Sequence, residues 1–399
     1  MPVISMKELN LYNKKVLIRL DLNVPINDHG KITSHARITA SIPTIELAIK
    51  KRAKIIICSH LGRPKEGNFQ KKFSLLPIFQ YLKEYFNSVK ITFSKTFSFK
   101  EIEKSEIIML ENVRFNIGEK KNCSLLSKKY ASLCDVFVMD AFGTAHRSEA
   151  STCGIGYFSK IACAGPLFLS ELSSLKKALK NPVQPVVSII GGSKVSTKFK
   201  ILQSLGKISN TIIVGGGIAN TFIATDKKIG KSLFERDYLH HAKKLKSKFN
   251  ILIPTDSRVG TEFSKNAVAR VKNTSDIKEN EEIMDFGDKT ISKALKIIKL
   301  AKTIIWNGPV GVYEFKNFQK GTKSIALEIS KSNAFSLAGG GDTLAVIEML
   351  KIKEKISYVS TGGGSFLSFI EGNTLPTISM LQKKYFKIDK KKQINSTNT

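Results

Sequence analysis

The first half of the chain alternates short apolar runs with stretches of helical periodicity. Apolar runs that lead into polar loops lie at 14–25, 53–64, 106–115 and 134–147, and helical patterns lie at 38–53 and 75–86. Apolar strands separated by helices predict βαβ units around a parallel sheet. Ligands of such sheets bind outside the carboxyl ends of the strands. The pattern therefore predicts an α/β fold with its functional residues in the loops that follow the strands.

Four apolar runs in the second half each end in a glycine cluster. They lie at 186–195, 211–219, 334–343 and 356–365. Glycine has no Cβ, so it permits positive φ and lets a ligand approach the backbone amides closely. A strand that passes through glycines into a helix directs these amides and a helix N-terminus toward an anion. Four such turns are hard to explain by packing alone, and they predict a polyphosphate site.

The segment 166–185 separates the two halves. Apolar residues recur in it at helical spacing, and Pro166, Pro182 and Pro185 bound it. This pattern predicts a rigid helix between two α/β domains. The chain ends in a polar, charged stretch, 387–399, which is typical of a mobile tail.

Composition narrows the class of protein. A chain of 399 residues with 42% hydrophobic content is long enough for two or three cores. No apolar run approaches the ~20 residues of a membrane span, and the first residues lack the apolar region of a secretory signal. The five cysteines are odd in number and form no C-x-x-C pair. A zinc site or disulfide framework is therefore disfavoured, and a reducing cytoplasm is expected.

The net charge of +31 has two interpretations. It fits a nucleic-acid partner, or a lysine-rich composition spread over solvated helices. Short lysine runs occur throughout the chain and no nucleic-acid-binding motif accompanies them, which favours the second interpretation. The nine arginines are more informative, because six of them lie in the first 147 residues, whereas 19 of the 27 glycines lie after residue 170. An arginine in a lysine-rich chain is more often needed for its planar, bidentate donors.

The common phosphate-binding signatures are absent. There is no Walker A motif, and the nearest approach to a dinucleotide fingerprint, 154–159, lacks the third glycine. Lys194 and Lys198 follow the first glycine cluster at a spacing that places them on one helical face. Asp342 follows the third cluster, where it could cap a helix or face a nucleotide-bound Mg²⁺. Glu314, taken alone, would be a surface acid.

Polar residues in the first half follow the predicted strands. They are Asp21, Asn23, His60, Arg63, Arg114, His146 and Arg147, with Arg37 at the start of a helical stretch. Arginines from separate loops can converge on one phosphate or carboxylate, although any single one could be a surface ion pair. The histidines could act as acid–base groups or could bind a loop or a phosphate. No Ser–His–Asp or paired-carboxylate arrangement accompanies them.

Eight motifs, in this order and spacing, resemble phosphoglycerate kinases of the bacterial type. They are RLDLNVP, SHLGRP, LENVRF, DAFGTAHR, GGSKVSTK, NGPVGVYEF, AGGGDT and STGGGS, and the resemblance covers about residues 3–385. It implies two Rossmann-like, three-layer α/β/α domains with parallel sheets, joined by a linker helix and a hinge. The implied ranges are 1–168 for a 3-phosphoglycerate-binding domain, 169–184 for the interdomain helix and 185–374 for a nucleotide-binding domain. A C-terminal segment of about 375–399 is expected to pack back on the first domain.

The resemblance also implies roles for individual residues. On the substrate side, Asp21, Leu22 and Asn23 would hold the hydroxyl and carboxylate region of 3-phosphoglycerate, and His60, Leu61, Gly62, Arg63, Arg114 and Arg147 its non-transferring phosphate. The catalytic group would comprise Arg37, Lys194, Lys198, Gly340 and Gly363 around the transferring phosphoryl group, with the amides near Gly341 and Gly364. The nucleotide would be held by Lys198, Asn307, Pro309, Glu314, Gly340, Gly341, Asp342 and Thr343, with Asp342 serving Mg²⁺.

Two local details differ from the usual family pattern. Met139 precedes Asp140 where Asn is usual, and Ser148 and Glu149 follow Arg147 where small or neutral residues are more typical. These differences leave the roles intact and are expected to alter substrate affinity modestly.

The implied reaction is Mg²⁺-dependent phosphoryl transfer between 1,3-bisphosphoglycerate and ADP, giving 3-phosphoglycerate and ATP, by a cytoplasmic monomer that closes about its hinge. Such transfer needs positioning and charge neutralisation more than acid–base catalysis, because the leaving group is a carboxylate. That agrees with a sequence rich in arginine, lysine and glycine turns but without a triad. A basic nucleic-acid-binding protein and a nicotinamide-dependent dehydrogenase are the alternatives, and neither a specific nucleic-acid partner nor a membrane is expected.

Overall fold

The computed structural model of the chain describes residues 2–96 and 105–397, with side chains as far as Asp389. Residue contacts divide the chain into two units. Unit 1 comprises the residues up to Leu172 together with those from Thr374 onward, and unit 2 comprises Ser173–Asn373. Residues 1, 97–104, 398 and 399 of the predicted domain ranges lie outside the described residues.

Unit 1 is built on a six-stranded parallel sheet. Its strands are β1 (Lys15–Arg19), β2 (Lys54–Cys58), β3 (Ile91–Ser94), β4 (Ile107–Leu110), β5 (Val136–Met139) and β6 (Ile161–Ala164), in the order β3-β4-β2-β1-β5-β6. Helices α1 (Ala36–Lys50), α2 (Leu76–Tyr85), α3 (Ser124–Ser132) and α4 (Ile155–Phe158) belong to the same unit. Since β1 lies between β2 and β5, the chain reverses its direction of winding there. The carboxyl ends of these central strands therefore flank a switch point, where ligands of such sheets bind.

The core of unit 1 explains why its strands read as continuous apolar runs. β2 and β4 are buried along almost their whole length, as expected for parallel strands covered on both faces. Ile18, Ile57 and Val138, from three adjacent strands, belong to one cluster of buried side chains. Each such side chain contributes about 1.5–3 kcal/mol through burial, so the central strands are rigid supports for the loops that follow them.

Unit 2 contains a second six-stranded parallel sheet. Its strands are β7 (Val186–Ile190), β8 (Thr211–Val214), β9 (Ile251–Leu252), β13 (Thr303–Asn307), β14 (Phe335–Gly339) and β15 (Tyr358–Ser360), in the order β15-β14-β13-β7-β8-β9. Its helices are α6 (Val195–Gly206), α7 (Gly216–Ile223), α8 (Leu239–Lys248), α9 (Asp288–Leu300), α10 (Lys320–Lys331), α11 (Gly341–Met349) and α12 (Gly364–Ile370). With unit 1, this confirms the predicted α/β class with two parallel sheets.

A small antiparallel sheet in unit 2 was not predicted. It pairs β10 (Asp256–Gly260) with β11 (Arg270–Asn273) and β12 (Glu282–Phe286), in the order β11-β10-β12. Most of β11 is exposed and half of its residues carry charge, so it has no apolar run to mark it. A polar edge strand of this kind is specified by its neighbour more than by its own sequence.

The predicted interdomain helix, 169–184, and the predicted mobile tail, 387–399, both differ from the structure. Helix α5 (Pro166–Leu179) ends before Pro182, because a residue that precedes proline disfavours helical backbone. Its first turn is capped by Asp140, whose Oδ1 accepts from the Phe168 amide at 2.9 Å. The C-terminal helix α13 (Pro376–Thr397) runs through most of the predicted mobile tail.

Helix α13 packs within unit 1. The Thr377 hydroxyl donates to the Ala145 carbonyl at 3.1 Å, and the Lys384 ammonium donates to the Ser159 carbonyl. A Cβ on Gly156 would lie 2.2 Å from the Met380 sulfur, so α13 packs closely against α4 at this point. The first turns of α13 are thus anchored to the segment between β5 and β6.

Candidate active site

The carboxyl end of β1 carries the first group of predicted site residues. Arg37, the second residue of α1, donates through Nη1 to Asp21 Oδ1 at 3.1 Å and to the Asn23 carbonyl at 2.9 Å. Its side chain is 33% exposed, whereas that of Asp21 is 11% exposed. The contact with a mostly buried carboxylate holds one edge of the guanidinium and leaves the group accessible to a ligand.

Hydrogen bonds join the ends of β1 and β2. Asn23 Oδ1 accepts from the Gly62 amide at 2.8 Å, and the Leu22 amide donates to Ser59 Oγ at 2.9 Å. Leu22 and Leu61 are buried, so they anchor this junction. Ser59 was not predicted, because a serine at a strand end has no distinctive sequence signal.

His60 is 3% exposed, and its protonation is set by its neighbours. Arg19 Nη2 lies 3.2 Å from His60 Nδ1. A guanidinium can only donate, so Nδ1 accepts and the proton of a neutral His60 lies on Nε2. Burial lowers the pKa of His60 well below its usual value, and the guanidiniums of Arg19, Arg114, Arg147 and Arg37 lower it further. His60 is therefore a neutral hydrogen-bond donor through Nε2.

Arg19 itself was counted in the sequence but given no role. It is fully buried at the end of β1, donates through Nε to Ser151 Oγ at 3.0 Å and donates through Nη1 to the Leu20 carbonyl. Ser151 Oγ in turn donates to Glu119 Oε1 at 2.5 Å. Burial raises the pKa of Glu119 to about 7, with the Ser151 hydrogen bond acting in the opposite direction. The sequence feature that could have identified Arg19 is its position as a charged residue at the end of an apolar strand.

Arg114 and Arg147 come together around a glutamate. Arg114, which is 4% exposed, donates through Nη1 to the Gly62 carbonyl at 2.7 Å and through Nη2 to Glu149 Oε1 at 3.1 Å. Arg147 Nη1 lies 3.9 Å from the same oxygen, and its Nε donates to His146 Nε2 at 3.3 Å. Burial lowers the pKa of His146, and Arg147 lowers it further. Arg63 is different, because its side chain is exposed on the loop after β2.

In unit 2 the four glycine clusters divide into two kinds. The first two are explained by close backbone packing: a Cβ on Gly191 would lie 1.7 Å from the Pro309 carbonyl oxygen, and one on Gly215 would lie 2.3 Å from Val310 Cα. Close backbone packing therefore accounts for Gly191 and Gly215 without a ligand. In the last two clusters, a Cβ on Gly341 or Gly363 would meet nothing within 4 Å. These two positions therefore face open space.

The last two turns also each contain a glycine with positive φ. Gly340 has a φ of 103° and precedes the first residue of α11, and Gly363 has a φ of 48° and precedes α12. Such values favour glycine. Gly364, the first residue of α12, is also exposed. The amides of both turns are therefore accessible at the carboxyl ends of β14 and β15.

Lys198 is held beside the Gly339–Gly340 turn. Its ammonium donates to Asn307 Oδ1, and Asn307 Nδ2 donates to the Gly339 carbonyl at 2.7 Å. Burial lowers the pKa of Lys198, while the carboxylates of Asp342 and Glu371 act in the opposite direction. Thr343 Oγ1 accepts from the Gly308 amide at 2.7 Å, which ties the loop after β13 to α11.

Lys194 does not share this environment. It is exposed at the N-cap of α6. The first turn of α6 already has an anion, because Glu235 accepts from the Ser196 amide at 2.7 Å and from its hydroxyl at 2.6 Å. This carboxylate was not predicted, and it occupies the position at which a phosphate would cap the helix.

The remaining predicted residues of unit 2 lie near the same turns. Pro309 is buried against Gly191, whereas Glu314 and Asp342 are exposed. The charges of Glu314 and Asp342 both act on Tyr313, whose pKa is raised chiefly by burial. Within the described residues, no group of three or more His, Cys, Asp or Glu side chains could hold a metal ion. An exposed single carboxylate at a helix start fits Mg²⁺ that arrives with nucleotide phosphates, since Mg²⁺ often takes one or two carboxylates and phosphate oxygens.

Comparison with known proteins assigns the chain to a family. The family model described as phosphoglycerate kinase matches residues 6–373. The chain belongs to the phosphoglycerate kinase family. A phosphoglycerate kinase of Buchnera aphidicola subsp. Schizaphis graminum is 62% identical over 385 residues, covering 96% of this chain and 99% of that protein. Another, of Buchnera aphidicola subsp. Baizongia pistaciae, is 59% identical over 388 residues and covers 97% of this chain and 98% of its own.

Solved structures give the same result. The phosphoglycerate kinase of Coxiella burnetii matches with a TM-score of 0.90 and 45% identity, over 96% of this chain and all of that one. That of Pyrococcus horikoshii OT3 matches with a TM-score of 0.80 and 30% identity, over the same shares. The resemblance inferred from the motifs is confirmed. The chain is a kinase of glycolysis that transfers a phosphoryl group between 1,3-bisphosphoglycerate and ADP, giving 3-phosphoglycerate and ATP.

Among the described residues, no helix is both long and apolar enough to cross a membrane.

Proposed function

We propose that unit 1 binds the phosphoglycerate and unit 2 binds the nucleotide. The observation that carries this assignment is the set of donors at the carboxyl ends of β1, β2, β4 and β5 in unit 1. These donors are guanidiniums and a neutral histidine, which bind an anion without exchanging protons with it. Unit 2 offers exposed glycine amides and the lysines Lys194 and Lys198 instead, which suits a polyphosphate.

On the substrate side, the non-transferring phosphate is held by His60 Nε2 with Arg63, Arg114 and Arg147. Asp21 and Asn23 bind the hydroxyl and carboxylate region, and the backbone around Leu22, Leu61 and Gly62 lines the pocket. Arg37 supports this role because one edge of its guanidinium is fixed by Asp21 while the side chain stays accessible. It neutralises charge on the transferring phosphoryl group.

On the nucleotide side, Lys198 and the amides near Gly340, Gly341, Gly363 and Gly364 stabilise the phosphates. Thr343 and Asn307 shape the loop that carries Pro309, and Glu314 binds the ribose. Lys194 also binds these phosphates, and because it is exposed, its side chain becomes ordered when the ligand binds. Asp342 would hold Mg²⁺, which neutralises phosphate charge when it is bound with ATP or ADP.

The chemistry requires little proton transfer. The acyl phosphate leaves as a carboxylate, so the enzyme's residues act by aligning the reactants and by neutralising the equatorial oxygens. The ammonium of Lys198 and the guanidinium of Arg37 supply the two positive groups for this. In-line transfer also requires the two substrates to meet without intervening water, which hinge bending would achieve. We further propose that the enzyme acts in the cytoplasm as a monomer, without a specific nucleic-acid partner and without a membrane.

The assignment is tested by measuring the two substrates separately. Calorimetric titration of the Arg147→Ala enzyme should show 3-phosphoglycerate binding weakened by about tenfold or more, the loss expected for a charge-assisted donor. The Kd for Mg·ATP should stay as in the unmodified enzyme. An unchanged Kd for 3-phosphoglycerate would contradict the assignment.

A further inference from the structure

A carboxylate lies inside the arginine cluster of unit 1. Glu149 Oε1 is 3.1 Å from Arg114 Nη2 and 3.9 Å from Arg147 Nη1. The Glu149 side chain is only 8% exposed, so water screens these contacts weakly. The group therefore faces the same two guanidiniums that the proposed function assigns to the substrate phosphate.

The carboxylate is fixed in place by the turn that follows it. Glu149 is the N-cap of a π-helical turn, Ala150–Gly154, in which its side chain accepts from the Thr152 amide. The Thr152 hydroxyl accepts from the Glu149 amide at 3.0 Å. Glu149 Oε2 is buried and has no hydrogen-bond partner among the described residues. The Glu149 carboxylate is thus held in a fixed position, and one of its two oxygens has no hydrogen-bond partner among the described residues.

Arg114 depends on that charge. Its side chain is 5% exposed, and its Nε is buried without a partner among the described residues. Burial lowers the pKa of Arg114, and Glu149 is the first group that acts against this. A buried guanidinium without a counter-ion is strongly destabilising. Glu149 therefore stabilises the empty site.

The same contact opposes ligand binding. A phosphate that approaches Arg114 and Arg147 is repelled by the negative charge of Glu149, and it must share the donors of both arginines with that carboxylate. We propose that Glu149 is an internal counter-anion that stabilises the empty phosphate site and limits its affinity for 3-phosphoglycerate. The proposal rests on the phosphate-binding role given to Arg114 and Arg147 under the proposed function.

The test compares Glu149→Gln with the unmodified enzyme. Glutamine keeps the shape and a cap oxygen but removes the charge. The Kd for 3-phosphoglycerate and the inhibition constant of inorganic phosphate should both fall about tenfold, because a unit charge several ångströms from the ligand is removed in a poorly screened site. The KM for Mg·ATP should not change. Without ligand the variant should unfold at a lower temperature, and 3-phosphoglycerate should raise its Tm by more than it raises that of the unmodified enzyme.

Glu46→Gln is the matched control. Glu46 is exposed on α1 of the same unit, so its replacement makes the same change in net charge away from the arginines. It should leave both binding constants unchanged. If Glu149→Gln does not fold, Glu149→Ser offers an uncharged residue that caps helical turns well, and the same measurements apply.

The outcomes separate this inference from the proposed function. If Arg147→Ala weakens 3-phosphoglycerate binding but the uncharged Glu149 variant binds no tighter, or binds more weakly, the counter-anion role is overturned and the substrate site stands. If Arg147→Ala has no effect on binding, the substrate site itself is wrong.

Discussion

Replacing Lys198 with methionine tests the nucleotide side of the proposal most directly. The change removes one positive charge from beside the Gly339–Gly340 turn and keeps an unbranched apolar side chain of similar length. The ammonium is placed by Asn307, which is itself held by the Gly339 carbonyl at 2.7 Å. A charged donor fixed in this way needs no reorganisation during the reaction, so its loss is expected to reduce kcat by about 10²–10³-fold, or about 3–4 kcal/mol.

The structure also predicts that the fold survives this change. Burial already disfavours the charged form of Lys198, because it lowers the pKa of that group. Methionine removes the cost of burying a charge. Asn307 Oδ1 loses its donor, however, and a buried acceptor left without a partner costs about 1–3 kcal/mol. The two effects act in opposite directions, so the free energy of unfolding should change by less than about 2 kcal/mol.

The assay is the coupled reaction with 3-phosphoglycerate, ATP and Mg²⁺, with urea unfolding measured in parallel. Lys200→Met is the control, since Lys200 is exposed two residues further along α6 and should retain the kcat of the unmodified enzyme. A kcat for Lys198→Met within about threefold of that value, in a folded protein, would refute the reasoning.

Three further predictions concern unit 1. Arg37→Ala should lower kcat by about 10²-fold or more with the fold intact, because it removes a guanidinium fixed by Asp21, and near-normal turnover in the coupled assay would remove it from the reaction. Arg19→Gln should raise the pKa of His60, since the Arg19 charge helps to lower it; titration of the imidazole by nitrogen NMR measures this, and an unchanged titration would contradict the contact. Glu119→Gln should make the protein more stable than the unmodified chain by about 3 kcal/mol at pH 8 but not at pH 4. Burial raises the pKa of Glu119 from 4.5 to about 7. The stability that protonated Glu119 contributes to the folded state is therefore fully present below pH 4.5 and is lost as the pH rises through 7. Parallel pH dependence of Tm for both proteins would contradict this.

Sequence pattern was sufficient for the two parallel sheets because they are specified locally. β2 and β7 read as uninterrupted apolar runs bounded by polar loops, and the structure buries them almost completely. The strand β11 shows the limit of that reasoning: it is polar and exposed, and its conformation comes from pairing with β10. An exposed strand carries no pattern of apolar residues, so it cannot be predicted from hydrophobic periodicity.

The glycine clusters show a second limit. All four look alike in the sequence, yet Gly191 and Gly215 are required by the backbone of the loop after β13, whereas Gly341 and Gly363 leave space open. Because glycine has no Cβ, it allows another backbone segment to pack closely and equally allows a ligand to approach. Only the positions of neighbouring loops distinguish the two uses.

The sequence by itself determined the fold class, the family and the chemical character of each half, arginine-bearing in the first and glycine-rich in the second. These properties depend on residue type, order and spacing, which the chain displays directly. The tertiary structure alone decided which groups are charged, paired or accessible. It places Arg19 against His60, Glu149 between Arg114 and Arg147, and Asn307 against Lys198. Apart from Glu149 and Arg147, which share one loop, these contacts join residues from different strand ends or loops. Electrostatic interaction depends on the separation of the groups in space and on their burial, neither of which spacing along the chain encodes.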